Sequence, residues 1–190
     1  MATETKLSQM EEFIRAFLEI DADSNEMIDK QELIKYCQKY RLDMKLIDPW
    51  IARFDTDKDN KISIEEFCRG FGLKVSEIRR EKDELKKERD GKFPKLPPNI
   101  EIIAATMSKI KQYEICCQFK EFVDNTSRTG NDMREVANKM KSLLDNTYGR
   151  VWQVVLLTGS YWMNFSHEPF LSIQFKYNNY VCLAWRTPSQ

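Results

Sequence analysis

The stretch Asp55-Thr-Asp-Lys-Asp-Asn-Lys-Ile-Ser-Ile-Glu-Glu66 decides how this chain is read. Asp55, Asp57 and Asp59 stand at its first, third and fifth positions, and Glu66 closes it at the twelfth. Short carboxylates on alternate residues, followed by a longer one a turn later, deliver several oxygens to one point. A hard cation that takes six to eight oxygen ligands needs such a donor set. Lys61, at the seventh position, would contribute its backbone carbonyl, so its charged side chain is no obstacle. Ser63, at the ninth, falls where the contact commonly runs through water. Ile62, at the eighth, is apolar and placed to pair with a matching strand. Most acidic runs are only solvated surface, but the order of the acids, the apolar eighth position and the closing Glu set this one apart. The expected ion is Ca2+, with Asp55, Asp57, Asp59, Lys61, Ser63 and Glu66 as the main ligand set.

A second loop, Asp-Ala-Asp-Ser-Asn-Glu-Met-Ile-Asp-Lys-Gln-Glu, spans Asp21 to Glu32. Asp21, Asp23, Asn25, Met27, Asp29 and Glu32 fill its ligand positions, and Ile28 is its apolar eighth residue. Two such loops in tandem form the pattern of an EF-hand pair. The sixth position calls for a positive φ and normally Gly. Glu26 stands there, and a residue with a Cβ is disfavoured in that region by about 1–2 kcal/mol. The other loop has Asn60, which tolerates it. Because ~1.4 kcal/mol is a factor of ten in affinity, the first loop is expected to bind weakly or to serve as a folding partner. Replacing Glu26 by Gly is expected to strengthen it.

Helices flank both loops. Ser8 with Glu11 is a capping box, and Phe13, Ile14, Phe17 and Leu18 then recur at helical spacing. Leu33, Ile34 and Cys37 continue the apolar face. Asp48-Pro49 is expected to cap a short helix carrying Ile47, Trp50, Ile51 and Phe54. Ile64, Phe67, Cys68 and Phe71 follow the second loop. These stripes read as core, with a minor reading in which the face opens on calcium binding as a groove for a target helix.

With 30 Lys/Arg and 30 Asp/Glu in 190 residues, the charges balance but are unevenly spread. Residues 1–72 hold 11 basic against 16 acidic residues, 73–94 hold 8 against 6, and 95–190 hold 11 against 8. The acidic part contains the cation loops, and no segment is basic enough for nucleic acid. No stretch approaches membrane-spanning length. The N-terminus lacks a signal core, and the odd set Cys37, Cys68, Cys116, Cys117 and Cys182 has no metal-ligand spacing, which together read as a reduced, cytoplasmic setting. Three segments are expected: an all-α EF-hand pair over 1–72, a charged helical linker over 73–94, and an α+β domain over 95–190. The linker reads as a solvated helix continuing from Ile64 to about Arg89, with Gly91 and Pro94 ending it.

In the last segment, Ile102, Ile103, Met107, Ile110, Tyr113 and Ile115 to Cys117 read as one long helix, and Asp132–Leu144 as a second. The polar stretch 126–131 separates them. Strands are expected at Trp152–Leu157, Tyr161–His167, Leu171–Tyr177 and Tyr180–Trp185. The third alternates, with Leu171, Ile173, Phe175 and Tyr177 on one face. Asn178-Asn179 suits a two-residue hairpin turn. Two helices followed by an antiparallel sheet make the α+β domain.

Tyr148 with Trp152, the pair His167-Glu168, and Ile173, Phe175 and Tyr177 give residues 98–187 a resemblance to the small dynein light chains. That resemblance implies an extended peptide, or a dynein-type partner, added at a sheet edge formed by Asn164, Phe165, Ser166 and His167. Ile173, Phe175 and Tyr177 would line the groove, and dimers would form through the same region. The segment Gly159–Met163 and the region of Pro169 are each one residue longer than the family pattern. The order of the two halves resembles the tegumental-allergen-like calcium-binding proteins of flukes. This implies a non-enzymatic tegument protein recognised by host antibodies.

Two functional readings follow. One is a calcium-responsive adaptor whose sheet domain holds a peptide or a second copy. The other is a passive calcium buffer, or structural tegument protein. Catalysis is disfavoured: His167 is the sole His, its neighbour Glu168 would point to the opposite face of a strand, and there is no phosphate-cradling glycine loop.

Overall fold

A computed structural model describes residues 8–127 and 130–188, the side chains of Gly130 and Asn131 excepted. Helix α1 (Gln9–Ile20) leads into the first loop, whose end forms the short strand β1 (Met27–Ile28) and runs into α2 (Lys30–Tyr40). Helix α3 (Ile47–Phe54) leads into the second loop, which ends in β2 (Ile62–Ser63) and α4 (Ile64–Phe71). The apolar eighth residues meet as the spacing requires, since Ile28 pairs with Ile62 and Met27 with Ser63 in an antiparallel ladder. This ladder ties the two loops back to back. Beneath it Ile14, Phe17, Ile64 and Phe67 are buried, and the Phe17 and Phe67 rings lie 4.4 Å apart. Each such side chain contributes about 1.5–3 kcal/mol through removal from water.

The cap expected at Asp48 lies elsewhere. Asp43 accepts from the Lys45 N–H and starts a 3-10 turn over Met44–Leu46, which runs directly into α3 and leaves Pro49 within its first turn. The long charged helix is also interrupted. Gly72, at φ +66°, caps α4 in the left-handed conformation, its N–H donating to the Cys68 and Arg69 carbonyls. The chain restarts as α5 (Val75–Arg89), burying Ile78, Glu81 and Glu84. The fold has two compact units, one formed by Gln9–Leu85 and the other containing Lys86–Gln190. Most of α5 therefore belongs with the loops and does not stand apart as a solvated spacer.

The second unit contains β3 (Ile100–Ala105), α6 (Lys109–Asp124), α7 (Gly130–Tyr148), β4 (Trp152–Leu157), β5 (Ser172–Tyr177) and β6 (Tyr180–Arg186). Its antiparallel sheet has the order β3-β5-β6-β4. Residues 100–105, expected at the start of a helix, are instead a strand paired with β5, with a register irregularity between Ile102 and Ala104. The cap at Ser108, which accepts from Lys111 N–H, marks where α6 begins. The apolar residues run on from Ile102 without a break, and such a run fits a buried strand as well as a helix. Of the separating polar stretch, residues 128 and 129 lie outside the described residues, and α7 already begins at Gly130. The hairpin turn falls at Asn178-Asn179 as expected, with Asn178 at φ +54° and Tyr177 opposite Tyr180.

One expected strand does not form. Residues 160–168 have no ladder partner among the described residues, and Trp162 is 94% exposed. The core of the unit lies between the sheet and the two helices, where Phe119 of α6 meets Phe175 of β5 edge to face at 5.1 Å.

Candidate metal centre

The two loops follow one backbone course. Each is left-handed at its fourth and sixth positions, with Ser24 at φ +62° and Glu26 at +67° in the first loop, and Lys58 at +64° and Asn60 at +65° in the second. Each ends in the same device. Asp29 and Ser63, at the ninth position, are the N-caps of α2 and α4, and Glu32 and Glu66 complete reciprocal capping boxes. The ninth and twelfth ligand positions are thus the N-cap and third residue of the exiting helix, so one hydrogen-bond pattern starts the helix and aims the closing carboxylate.

In the second loop, Asp55, Asp57 and Asp59 each offer a carboxylate oxygen, all within 4.8 Å of one another. Backbone donors hold them there. Asp59 N–H reaches Asp55 Oδ1 and Asp57 Oδ1 at 3.2 Å each, Asn60 N–H reaches Asp55 Oδ2 at 2.9 Å, and Lys61 N–H reaches Asp59 Oδ1 at 2.8 Å. Glu66 lies outside this cluster of three. Thr56 donates its N–H and hydroxyl to Oε1, at 2.7 and 2.8 Å, and Ser63 donates likewise to Oε2, at 3.0 and 2.8 Å. Burial alone would raise the Glu66 pKa, but the backbone donors of Ser63 and Thr56 and then their hydroxyls outweigh it and hold the carboxyl at about 2.

In the first loop the gathered set is Asp21, Asp23 and Glu32, again within 4.8 Å. Asn25 N–H and Nδ2 donate to the two oxygens of Asp23, and the Met27 N–H donates to Asn25 Oδ1 at 2.7 Å. Glu32 accepts from Ala22 N–H at 3.0 Å and Asp29 N–H at 3.1 Å. Asp21 is buried, and its Oδ1 has no hydrogen-bond partner. A buried carboxylate oxygen left unsatisfied among other carboxylates fits a cation ligand, because desolvated acceptors otherwise find donors. All the donors are oxygens and several are charged, which suits Ca2+ over a softer metal. Ca2+ is the cofactor of this EF-hand pair.

Two residues of α5 absent from the sequence-predicted site, Arg79 and Lys82, also reach the first loop. Arg79 Nε and Nη2 hold the Glu26 carboxylate at 2.6–3.0 Å, and Nη2 also reaches Glu65 at 2.8 Å. This pairing lowers the Glu26 pKa, its first cause being the Arg79 hydrogen bond. The disfavoured conformation of Glu26 is thereby supported by its own side chain.

The sheet-edge residues are partly brought together. Phe165 packs 4.6 Å from the Trp185 ring and 5.8 Å from His167, whose Nδ1 lies 2.8 Å from the Glu168 carbonyl oxygen. Asn164 and Ser166 lie in the same unladdered segment. Ile173, Phe175 and Tyr177, expected in a groove, are buried under α6, and the Tyr177 hydroxyl donates to Asp124 at 2.8 Å. Their face of β5 is the one that the helices cover, so in this chain they form core and line no open groove.

Residues 10–72 match the EF-hand domain pair family, and residues 99–187 match Dynein light chain type 1. The chain is 99% identical over 190 residues to a protein of Schistosoma mansoni named Tegument antigen, with both chains covered in full. It is 49% identical over 182 residues to Antigen Sm21.7 of the same species, covering 96% of this chain and 98% of that one. Among solved structures, the dynein light chain-like domain of Fasciola hepatica calcium binding protein FhCaBP2 is 55% identical, covers 50% of this chain and 99% of its own, and has a TM-score of 0.48. The corresponding domain of CsTAL3 is 33% identical, covers 50% of this chain and 100% of its own, and has a TM-score of 0.45. No helix among the described residues is long and apolar enough to cross a membrane. Matched end to end by its relatives, with an EF-hand pair ahead of a dynein-light-chain-like domain, the chain belongs to the tegumental-allergen-like calcium-binding proteins of flukes.

Proposed function

We propose that the protein is a calcium-responsive, non-enzymatic adaptor of the tegument. One observation carries the choice of adaptor over passive buffer. Between the helices of the first unit lies a wholly apolar pocket of about 60 Å³, lined by Ile20, Leu33, Tyr36, Cys37, Leu42 and Trp50 among others. At its rim Leu42 and Leu46 are exposed, with Tyr40 and Met44 beside them in sequence. Sensor EF-hands open such a helix pair on binding calcium and present its lining to a target, whereas buffers barely open. A partly open apolar pocket with an apolar rim is a starting point for the first behaviour. In the second unit, the unladdered segment 160–168 with exposed Trp162 and Met163, and the edge strands β3 and β4, supply backbone groups for an added peptide strand or a second copy. The names of the relatives support residence in the tegument and recognition by antibodies.

The test is fluorescence of an apolar-surface dye on adding Ca2+ to the full chain. An adaptor gives a rise that Glu66→Gln abolishes. Calcium uptake without any rise means a buffer.

A further inference from the structure

Helix α5 returns across the first loop with two cations, and one of them sits on a ligand. Lys82 Nζ donates to Asp21 Oδ2 at 2.7 Å. Their side chains are 15% and 0% exposed, so the pair is nearly out of water. Asp21 is the first ligand position of its loop. Its Oδ2 accepts both Lys82 and the Glu26 N–H, the latter at 3.2 Å, while its Oδ1 is buried without a partner. The carboxylate is therefore divided, one oxygen held by the protein and the other left for an ion. In the second loop Asp55 Oδ2 accepts the matching Asn60 N–H at 2.9 Å, and no ion pair reaches Asp55 among the described residues.

We infer that Lys82 sets the calcium affinity of the first loop, holding it down, and couples that loop to helix α5. The inference rests on the reading of the loops as calcium sites. A cation beside clustered carboxylates relieves their repulsion most when no other cation is present, so Lys82 favours the metal-free loop. Once calcium arrives, the ammonium and the ion share Asp21 and repel each other. In a desolvated site that repulsion is strong and weakly screened by salt. Linkage makes the effect reciprocal: calcium in the first loop weakens the Lys82–Asp21 contact by the same factor. Calcium loading then loosens the grip of α5 on the loop. Arg79 acts differently. It pairs with Glu26 and Glu65, neither of which is a ligand, and so supports the loop without sitting on the ion's own donors.

The experiment is calorimetric titration of the full chain with CaCl2 in a Glu66→Gln background, which isolates the first loop, with Lys82 intact or replaced. Lys82→Gln is expected to tighten the first loop by about tenfold or more, within the usual range of coupling between two sites. Lys82→Arg keeps the charge and is expected to stay within about threefold of its parent, by the same reasoning. Without calcium, α5 amides should exchange faster in Lys82→Gln. Raising KCl from about 0.1 to 0.5 M should not imitate the substitution, since the pair is dry. Unchanged or weaker binding in a Lys82→Gln protein that melts as a folded chain overturns the inference. So does a first loop that fails to bind with or without Lys82 while the second loop binds in the parent chain. Failure of both loops to bind overturns the calcium reading itself.

Discussion

The first and second loops share their left-handed positions and their capping boxes, yet their surroundings differ. In the first, Asp21 is buried against Lys82, and Glu26 is clamped by Arg79. In the second, Asp55 is partnered by the loop's own N–H groups, and Glu66 by four donors from Thr56 and Ser63. A loop whose ligands are organised from within can reorganise around an ion at little expense to the rest of the fold. A loop tied to a distant helix must disturb that helix to do so. Local sequence therefore specifies how a loop turns, and its neighbours specify how readily it loads.

The comparison breaks first at the closing glutamates. Glu66→Gln should weaken the second site by about a hundredfold, or ~2.8 kcal/mol, whereas Glu32→Gln should change total binding by less than about tenfold, because the first loop is already held down. Equal losses in calcium titrations of the two variants would erase the distinction between the loops.

Acid probes the same carboxylate without metal. The Glu66 pKa is depressed from 4.5 to about 2, so the stability it confers is full above the unfolded value and is lost as pH falls from about 4.5 towards 2. Thermal melts in chelator should show a decline over this window that is shallower in Glu66→Gln. An identical decline in both proteins would assign the acid sensitivity to other groups.

The turn that sends α5 back to the first loop should be the next most sensitive point. A Cβ at Gly72 meets nothing within 4 Å, so Gly72→Ala tests conformation alone at φ +66°. It should cost about 1–2 kcal/mol, read as a lower melting temperature with faster exchange in α5. A neutral result would mean that the turn does not need its left-handed cap.

Smallest are the sixth positions. Asn60→Gly should tighten the second loop by a few-fold at most, since Asn already tolerates this backbone. Glu26→Gly relieves about 1–2 kcal/mol of strain but loses the Arg79 pairing, an exposed ion pair of ~0.2–1 kcal/mol, so its net effect on the first loop should be about fivefold or less. That is less than the sequence suggested. A tenfold gain in calorimetry would restore Glu26 as the chief handicap.

Much of the molecule was legible from pattern. The spacing of Asp55, Asp57, Asp59 and Glu66, and of Asp21, Asp23 and Glu32, identifies both loops because every ligand in a loop is local in sequence. Ile28 and Ile62 announced the ladder between them. Strand β5 followed from alternation, β4 and β6 fall where strands were expected, and Asn178 followed from its tolerance of positive φ. The misreadings share a cause, which is that sequence does not say what a residue lies against. Ile100 to Ala105 form a strand because β5 is there to pair with them, whereas residues 160–168 meet β6 only through separate contacts, Phe165 on Trp185 and the Glu168 N–H on the Arg186 carbonyl, and so form no ladder among the described residues.

By itself, then, the sequence determined the two calcium loops, the change from helical to strand periodicity, and the family to which the chain belongs, because each depends on contacts between residues close in the chain. Tertiary structure alone decided that Gly72 turns α5 back, that Lys82 meets Asp21 and Arg79 meets Glu26, and that Ile173, Phe175 and Tyr177 are core. Those contacts span up to 61 residues of separation. Such pairs are set by how the apolar faces of the helices pack, and no short-range pattern of charges encodes which of 30 cations will reach a given carboxylate.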